Sequence, residues 1–273
     1  MAIYSFNVSP VSRGDGRPLA AAMAYRSGEK LYDSYYGKTY DYSRRHDVLH
    51  KEILLPHNAP REFLDRQTFA NAINNLERRH DSQTAREIKI ALPNELSLDD
   101  WIALSREFVL ENFVKLGMGA DLVIHEGILD EHKKPASIEA VHERQNNPHA
   151  HILLTTRMID ENGLGTHKSR EWNSKSYIWL WRKAWADAQN REFKKRGLGV
   201  RVSHESYAAQ GIDRKPTKHL GPSVMAMEQR NIKTDRGDEY RRTIAQNKER
   251  ESRKHERQYQ RQLERERSFE RSR

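Results

Sequence analysis

Asn147-Pro148-His149-Ala150-His151-Ile152-Leu153-Leu154-Thr155-Thr156 is the segment that most restricts the fold. A short apolar run behind a proline reads as a buried strand from His149 to Thr156. Side chains alternate along a strand, so His149 and His151 share one face while Ala150, Ile152 and Leu154 point into the core. The chain must therefore build a sheet around a strand that carries two imidazoles side by side. Two imidazoles one strand-step apart can bind one cation, and from the spacing alone this weighs about equally with two chance histidines on a half-exposed strand. His125 ends a preceding strand, Asp121 to His125, and if the two strands are neighbours their pairing brings it beside the other two. His132 and His142 are rival third ligands in a polar insert from Glu126 to Asn147. Three neutral imidazoles leave coordination positions open and bind less well below about pH 6.5. Such a nitrogen set suits manganese, zinc, nickel or a phosphate-bound magnesium.

Further strands are expected at Ile3 to Val8, His50 to Leu55 and Arg86 to Leu92. The last alternates strictly, with Ile88, Ile90 and Leu92 on one face and Glu87, Lys89 and Ala91 on the other. If its polar face is the histidine face, Glu87 orients a histidine or takes a proton; a surface Glu87–Lys89 pair weighs more from spacing alone. Pro18 is placed to open a helix that runs through Leu19, Ala20, Ala21, Ala22, Met23 and Tyr25 to Gly28. Tyr32 to Tyr42 reads as a loop or hairpin around Gly37. Helices are expected over 61–79, from a Ser97 cap to Gly117, and over 172–195. The expected architecture is α+β, a single sheet with helices packed on one face. Spacing does not decide whether the strands run antiparallel.

The 273 residues carry a formal charge of +9, with 32% charged and 36% hydrophobic residues. That balance favours an anionic partner, nucleic acid first. From Gln229 to Arg273 there are 15 Lys+Arg against 9 Asp+Glu, so most of the excess lies in the tail. Residues 241–273 hold too few apolar side chains for a core and read as a solvated helix or disordered. Cysteine is absent, which excludes disulfides and thiolate sites and is compatible with the cytoplasm. No apolar stretch has membrane-spanning length, and no Gly-x-x-x-x-Gly-Lys-Ser/Thr motif is present.

Several blocks together carry a family resemblance. They are Leu19 to Leu31 (LAAAMAYRSGEKL), Tyr40-Asp41-Tyr42-Ser43, Ala85 to Pro93 (AREIKIALP), Asn147 to Arg157 (NPHAHILLTTR), Ala209 to Arg214 and His219-Leu220-Gly221-Pro222. In this order they resemble the MobA/MobL mobilisation relaxases, which belong to the HUH (His, hydrophobic, His) endonucleases. The resemblance spans about 1–240. It implies an antiparallel sheet with the two-histidine strand at its centre, and a relaxase domain over 1–212. A polar extension over 213–240 and a basic charged tail over 241–273 follow. It implies Tyr25 as the nicking nucleophile and His125, His149 and His151 as ligands of a divalent metal, manganese or magnesium before zinc or nickel. The implied activity is nicking of one DNA strand at a plasmid transfer origin, through a 5′-phosphotyrosine link that is later religated. Single-stranded DNA, accessory mobilisation proteins and a type IV secretion coupling protein are the implied partners, in the bacterial cytoplasm. Glu87 is expected to act with the metal, and Arg26, Tyr32 and Trp172 to contact DNA. Core packing weighs more than base stacking for Trp172, and a surface role is the commoner one for Arg26. The competing readings are a rolling-circle replication initiator, a metal nuclease that uses water, and a DNA-binding protein without catalysis.

Overall fold

The computed structural model describes residues 4–127, 147–218 and 220–271. His132, His142 and His219 lie outside the described residues. The elements are β1 (Phe6–Ser12), α1 (Leu19–Ser27), β2 (Lys30–Asp33), β3 (Lys38–Asp41), β4 (Val48–Leu54), α2 (Arg66–Leu76) and β5 (Gln83–Ala91). They continue with α3 (Leu98–Asn112), β6 (Met118–His125), β7 (His149–Asp160), β8 (Gly163–Leu164), α4 (Lys175–Lys195), α5 (Pro222–Gln229) and α6 (Asp235–Arg271).

The main sheet has the order β1-β5-β7-β6-β4, with β8 paired to β7. Every pairing in it is antiparallel. The two-histidine strand β7 is central, as its apolar run requires. Strands β2 and β3 form a separate hairpin, with the turn at Gly37 (φ 60°).

Helices cover both faces of the sheet, not one as expected from spacing. On one face Ile88, Ile90, Leu122, Ile124, Ala150, Ile152 and Leu154 pack with Phe108 of α3 and Trp181, Trp185 and Phe193 of α4. On the other, Val11, Ile53, Ala85 and Leu153 pack with Leu19, Ala20 and Met23 of α1 and Phe69 and Ile73 of α2. The reason lies in β7: Leu153, between Ile152 and Leu154, must also leave water, so each side of the strand needs a cover.

Local signals set the helix ends. Pro18 stands at the cap of α1, one position earlier than expected, and Gly28 closes it in the left-handed conformation (φ 62°), its N–H donating to the Ala24 carbonyl. Ser97 caps α3 in a reciprocal arrangement with Asp100. Asp65, at the end of a 3-10 turn over Arg61–Leu64, caps α2 through the Thr68 N–H, so the expected single helix over 61–79 is split. Trp172 likewise sits on a separate 3-10 turn before α4, whose cap is Ser174.

The described residues divide into two units, 4–127 with 147–204, and those from 205 to 271. The first holds the sheet and α1 to α4. In the second, Glu228 accepts from Thr234 and pairs with Arg241 at 2.7 Å. Asn247 and the Lys215 backbone exchange two hydrogen bonds of 2.8 Å. The tail folds as α6.

Candidate metal and nucleophile site

Register places the polar side chains together. Across β6 and β7, His125 pairs with His149 and Val123 with His151. Across β5 and β7, Lys89 pairs with His151 and Glu87 with Leu153. Paired residues project to the same side of a sheet, so Glu87, Lys89 and the three histidines share the face under α1.

Each histidine can offer a nitrogen such that the three nitrogens lie within 4.8 Å of one another. The ring centroids are 4.9 to 5.3 Å apart. Each ring has one nitrogen anchored on a group that can only accept. His149 Nδ1 lies 2.9 Å from the Asn147 carbonyl, His151 Nδ1 2.7 Å from Glu87 Oε1, and His125 Nε2 2.7 Å from the Arg26 carbonyl. Those nitrogens carry the hydrogens, which leaves one lone pair per ring. Burial disfavours the imidazolium forms. It lowers His125 to about 4 and His149 to about 3, and His151 is lowered too, against the pull of Glu87. All three are therefore neutral at pH 7, and the onset of proton competition moves below the 6.5 expected from the sequence. Three neutral imidazoles, pre-oriented and close, fit a divalent metal.

Glu87 lies on the histidine face, the placement that gives it a role. Burial alone would raise its carboxyl. The hydrogen bonds from His151 and Arg26, with the Arg26 charge, prevail and hold it at about 2. A carboxylate so acidic is a weak base and a firm acceptor, which suits it to hold His151 more than to take a proton. Arg26, expected to touch phosphate, instead turns inward onto Glu87, with Nε to Oε1 at 2.7 Å and Nη2 to Oε2 at 2.6 Å.

Tyr25 is 50% exposed at the end of α1, next to the carbonyl that anchors His125. Its ring meets Tyr42 edge-on at 5.3 Å. Arg45, which the sequence reading missed, holds it: the guanidinium lies over the ring, Nη1 donates to the Tyr25 carbonyl at 2.9 Å, and Nε pairs with Asp47 at 2.8 Å. Nothing in the sequence singles out Arg45 among the cations of that loop. Beneath α1, Arg66 forks onto buried Asp121 and also reaches Glu29, which Lys51 holds from the other side.

Tyr32 is exposed on the hairpin, its backbone held by Gln67 and Asn71. Trp172 is a correction. It is 3% exposed, stacked on Tyr177 and packed against Phe113 and Trp181. A ring so enclosed has no face to offer a base, and the packing role weighed in the sequence holds. Trp179 is the exposed tryptophan of α4, its edge against His204.

Comparison with known proteins places this arrangement. The family model described as the MobA/MobL family matches residues 17–230. The chain is 32% identical over 259 residues to a mobilization protein MobL of Acidithiobacillus ferridurans, covering 89% of this chain and 66% of that one. It is 31% identical over 260 residues to a conjugal transfer protein TraA of Agrobacterium fabrum, covering 84% of this chain. It spans only 22% of that TraA. A solved structure from work on the molecular basis of vancomycin resistance transfer in Staphylococcus aureus is 36% identical, with a TM-score of 0.64, over 76% of this chain and all of that one. With the histidine strand central in an antiparallel sheet and more than half its length matched, the chain belongs to the MobA/MobL family.

Proposed function

We propose that this chain is the nicking and strand-transfer part of a mobilisation relaxase, with residues 1–212 as the relaxase domain. Its substrate is one strand of DNA at a plasmid transfer origin. The names of its relatives, conjugal transfer and mobilization proteins, support the biological setting. The observation that carries the chemistry is the exposed Tyr25, one residue from the carbonyl bonded to His125 in a cluster of three neutral imidazoles.

In this reading His125, His149 and His151 hold a divalent cation, manganese or magnesium before zinc or nickel. When bound, it supplies Lewis acidity toward a non-bridging oxygen of the scissile phosphate. Tyr25 loses its phenolic proton to solvent and its oxygen attacks phosphorus in line. The bond from phosphorus to the 3′-oxygen breaks, and that oxygen leaves as a 3′-hydroxyl after taking a proton from water. A 5′-phosphotyrosine remains, and its phosphodiester energy allows a later 3′-hydroxyl to reseal the strand. Glu87 fixes the His151 tautomer, and Arg45 keeps the phenol in place. Tyr32, exposed on the hairpin, stacks on a base. Accessory mobilisation proteins and a secretion coupling protein complete the proposed partners, in the bacterial cytoplasm.

The test uses Mn²⁺ and labelled single-stranded oligonucleotides tiling the transfer origin, resolved on a denaturing gel. A protein-sized labelled band that Tyr25→Phe removes is expected. Cleavage that persists in Tyr25→Phe without any such band would sink the tyrosine mechanism in favour of activated water.

A further inference from the structure

Arg26 is the residue after Tyr25, and its side chain is only 12% exposed. Its guanidinium grips both oxygens of Glu87, at 2.7 and 2.6 Å, and Nη1 donates back to the Ala22 carbonyl of its own helix at 2.7 Å. Glu87 Oε1 also accepts from His151 Nδ1 at 2.7 Å. The backbone carbonyl of the same Arg26 accepts from His125 Nε2 at 2.7 Å. One residue thus reaches two of the three histidines, on two different strands, and is joined by a peptide bond to Tyr25.

The geometry points to Arg26 as a positioning residue that couples metal loading to placement of the Tyr25 nucleophile. This rests on the proposed metal site and the proposed nucleophile. Without Arg26, Glu87 keeps His151 alone among these contacts and is free to rotate. The two-pronged grip fixes both carboxylate oxygens, and with them the His151 ring that Glu87 holds. The grip works in both directions. A cation that immobilises His125 and His151 also immobilises Arg26, and so the last turn of α1. A lysine would keep the charge and lose the planar fork. The plainer alternative is a buried ion pair that only supports the fold; it predicts a change in stability and none in metal affinity.

The experiment uses the full chain, Mn²⁺ alone as the probe, and calorimetric titration at pH 7.5 with circular dichroism to verify folding. Arg157→Ala is the control, since Arg157 pairs with buried Glu77 at 3.0 Å and contacts no triad residue. Arg26→Ala is expected to weaken Mn²⁺ binding up to ~10-fold, the low end of the range for losing a ligand's own hydrogen-bond partner, because Arg26 holds that partner, Glu87, and not the histidine itself. Arg26→Lys should recover part of this, and Arg157→Ala should bind as the parent does. Hydrogen exchange over residues 19–28 should slow when Mn²⁺ is added to the parent, and slow less at saturating Mn²⁺ in Arg26→Ala, which keeps only the backbone carbonyl bonded to His125. If Arg26→Ala fails to fold, Arg26→Lys and Arg26→Gln carry the same comparison. Folded Arg26 variants that bind Mn²⁺ as tightly as the parent, or exchange over 19–28 that ignores Mn²⁺ in the parent, would overturn the coupling. A parent that binds neither Mn²⁺ nor Zn²⁺ would overturn the metal site itself, and the coupling with it.

Discussion

The Arg45 guanidinium lies over the Tyr25 ring, with Cζ 4.2 Å from the centroid, while its Nη1 donates to Tyr25's own backbone carbonyl at 2.9 Å. The side chain and the main chain of one tyrosine are held by one cation, which Asp47 holds in turn. A cation over an exposed ring contributes about 0.5–1 kcal/mol. If Tyr25 is the nucleophile as proposed, Arg45→Ala should therefore slow formation of the covalent DNA adduct by roughly 2–5-fold, with oligonucleotide affinity unchanged. Single-turnover kinetics beside a binding titration separates the two. An effect confined to affinity would mean that Arg45 grips phosphate instead.

Metal binding should resist acid. Three ordinary imidazoles would be mostly protonated at pH 5.5 and would together lose about a thousandfold in affinity relative to pH 7.5. With His125 held at about 4, His149 at about 3 and His151 lowered, the loss over that range should stay small. Mn²⁺ titrations at the two pH values decide between these outcomes.

The same histidines set a stability slope in the metal-free chain. Their folded pKa values lie below the unfolded value of about 6.5, so between pH 6.5 and 4 the unfolded state binds more protons. Stability is fully present above pH 6.5 and is lost as pH falls toward 4 and below. Thermal melts in EDTA should show Tm falling through this window, and His149→Gln should flatten the fall. An unchanged slope in that variant would assign it to other groups.

Arg66 and Asp121 form a buried pair at 2.9 Å between α2 and β6. Asp121→Ala leaves a buried guanidinium with Glu29 alone and should cost about 3–5 kcal/mol in urea unfolding. Replacing both, as Arg66→Met with Asp121→Leu, should restore much of that. A double variant no more stable than the single one would show that the pair itself is a net source of stability.

Trp172 should behave as a core residue. Trp172→Ala is expected to lose about 3–5 kcal/mol of stability, and Trp172→Phe much less, with single-stranded DNA affinity intact. A folded Trp172→Phe that binds DNA more than tenfold worse would return the ring to a stacking role, since a stacked base is worth about 1–3 kcal/mol.

Alternation and caps carried most of the local structure. His149 and His151 share a face because a strand leaves no alternative, and Ile88, Ile90 and Leu92 face the core for the same reason. Ser97 starts α3 and Gly28 ends α1 where their chemistry says, whereas α3 stops at Asn112 and Gly117 closes a separate 3-10 turn over Val114–Leu116. The tyrosine and histidine blocks, in order, also announced the family. What one-dimensional pattern left open was which strands neighbour one another and which side each helix covers. Those are questions of long-range pairing, decided by how much apolar surface each arrangement removes from water. Only the register of β5, β7 and β6 puts Glu87 on the histidine face and His125 beside His149. Only the packing of α1 over that face turns Arg26 from a surface cation into a partner of buried Glu87, with its carbonyl on His125. The covering helices, by excluding water, are also what lower the imidazole pKa values, a quantity that belongs to the folded protein and to no segment of its sequence.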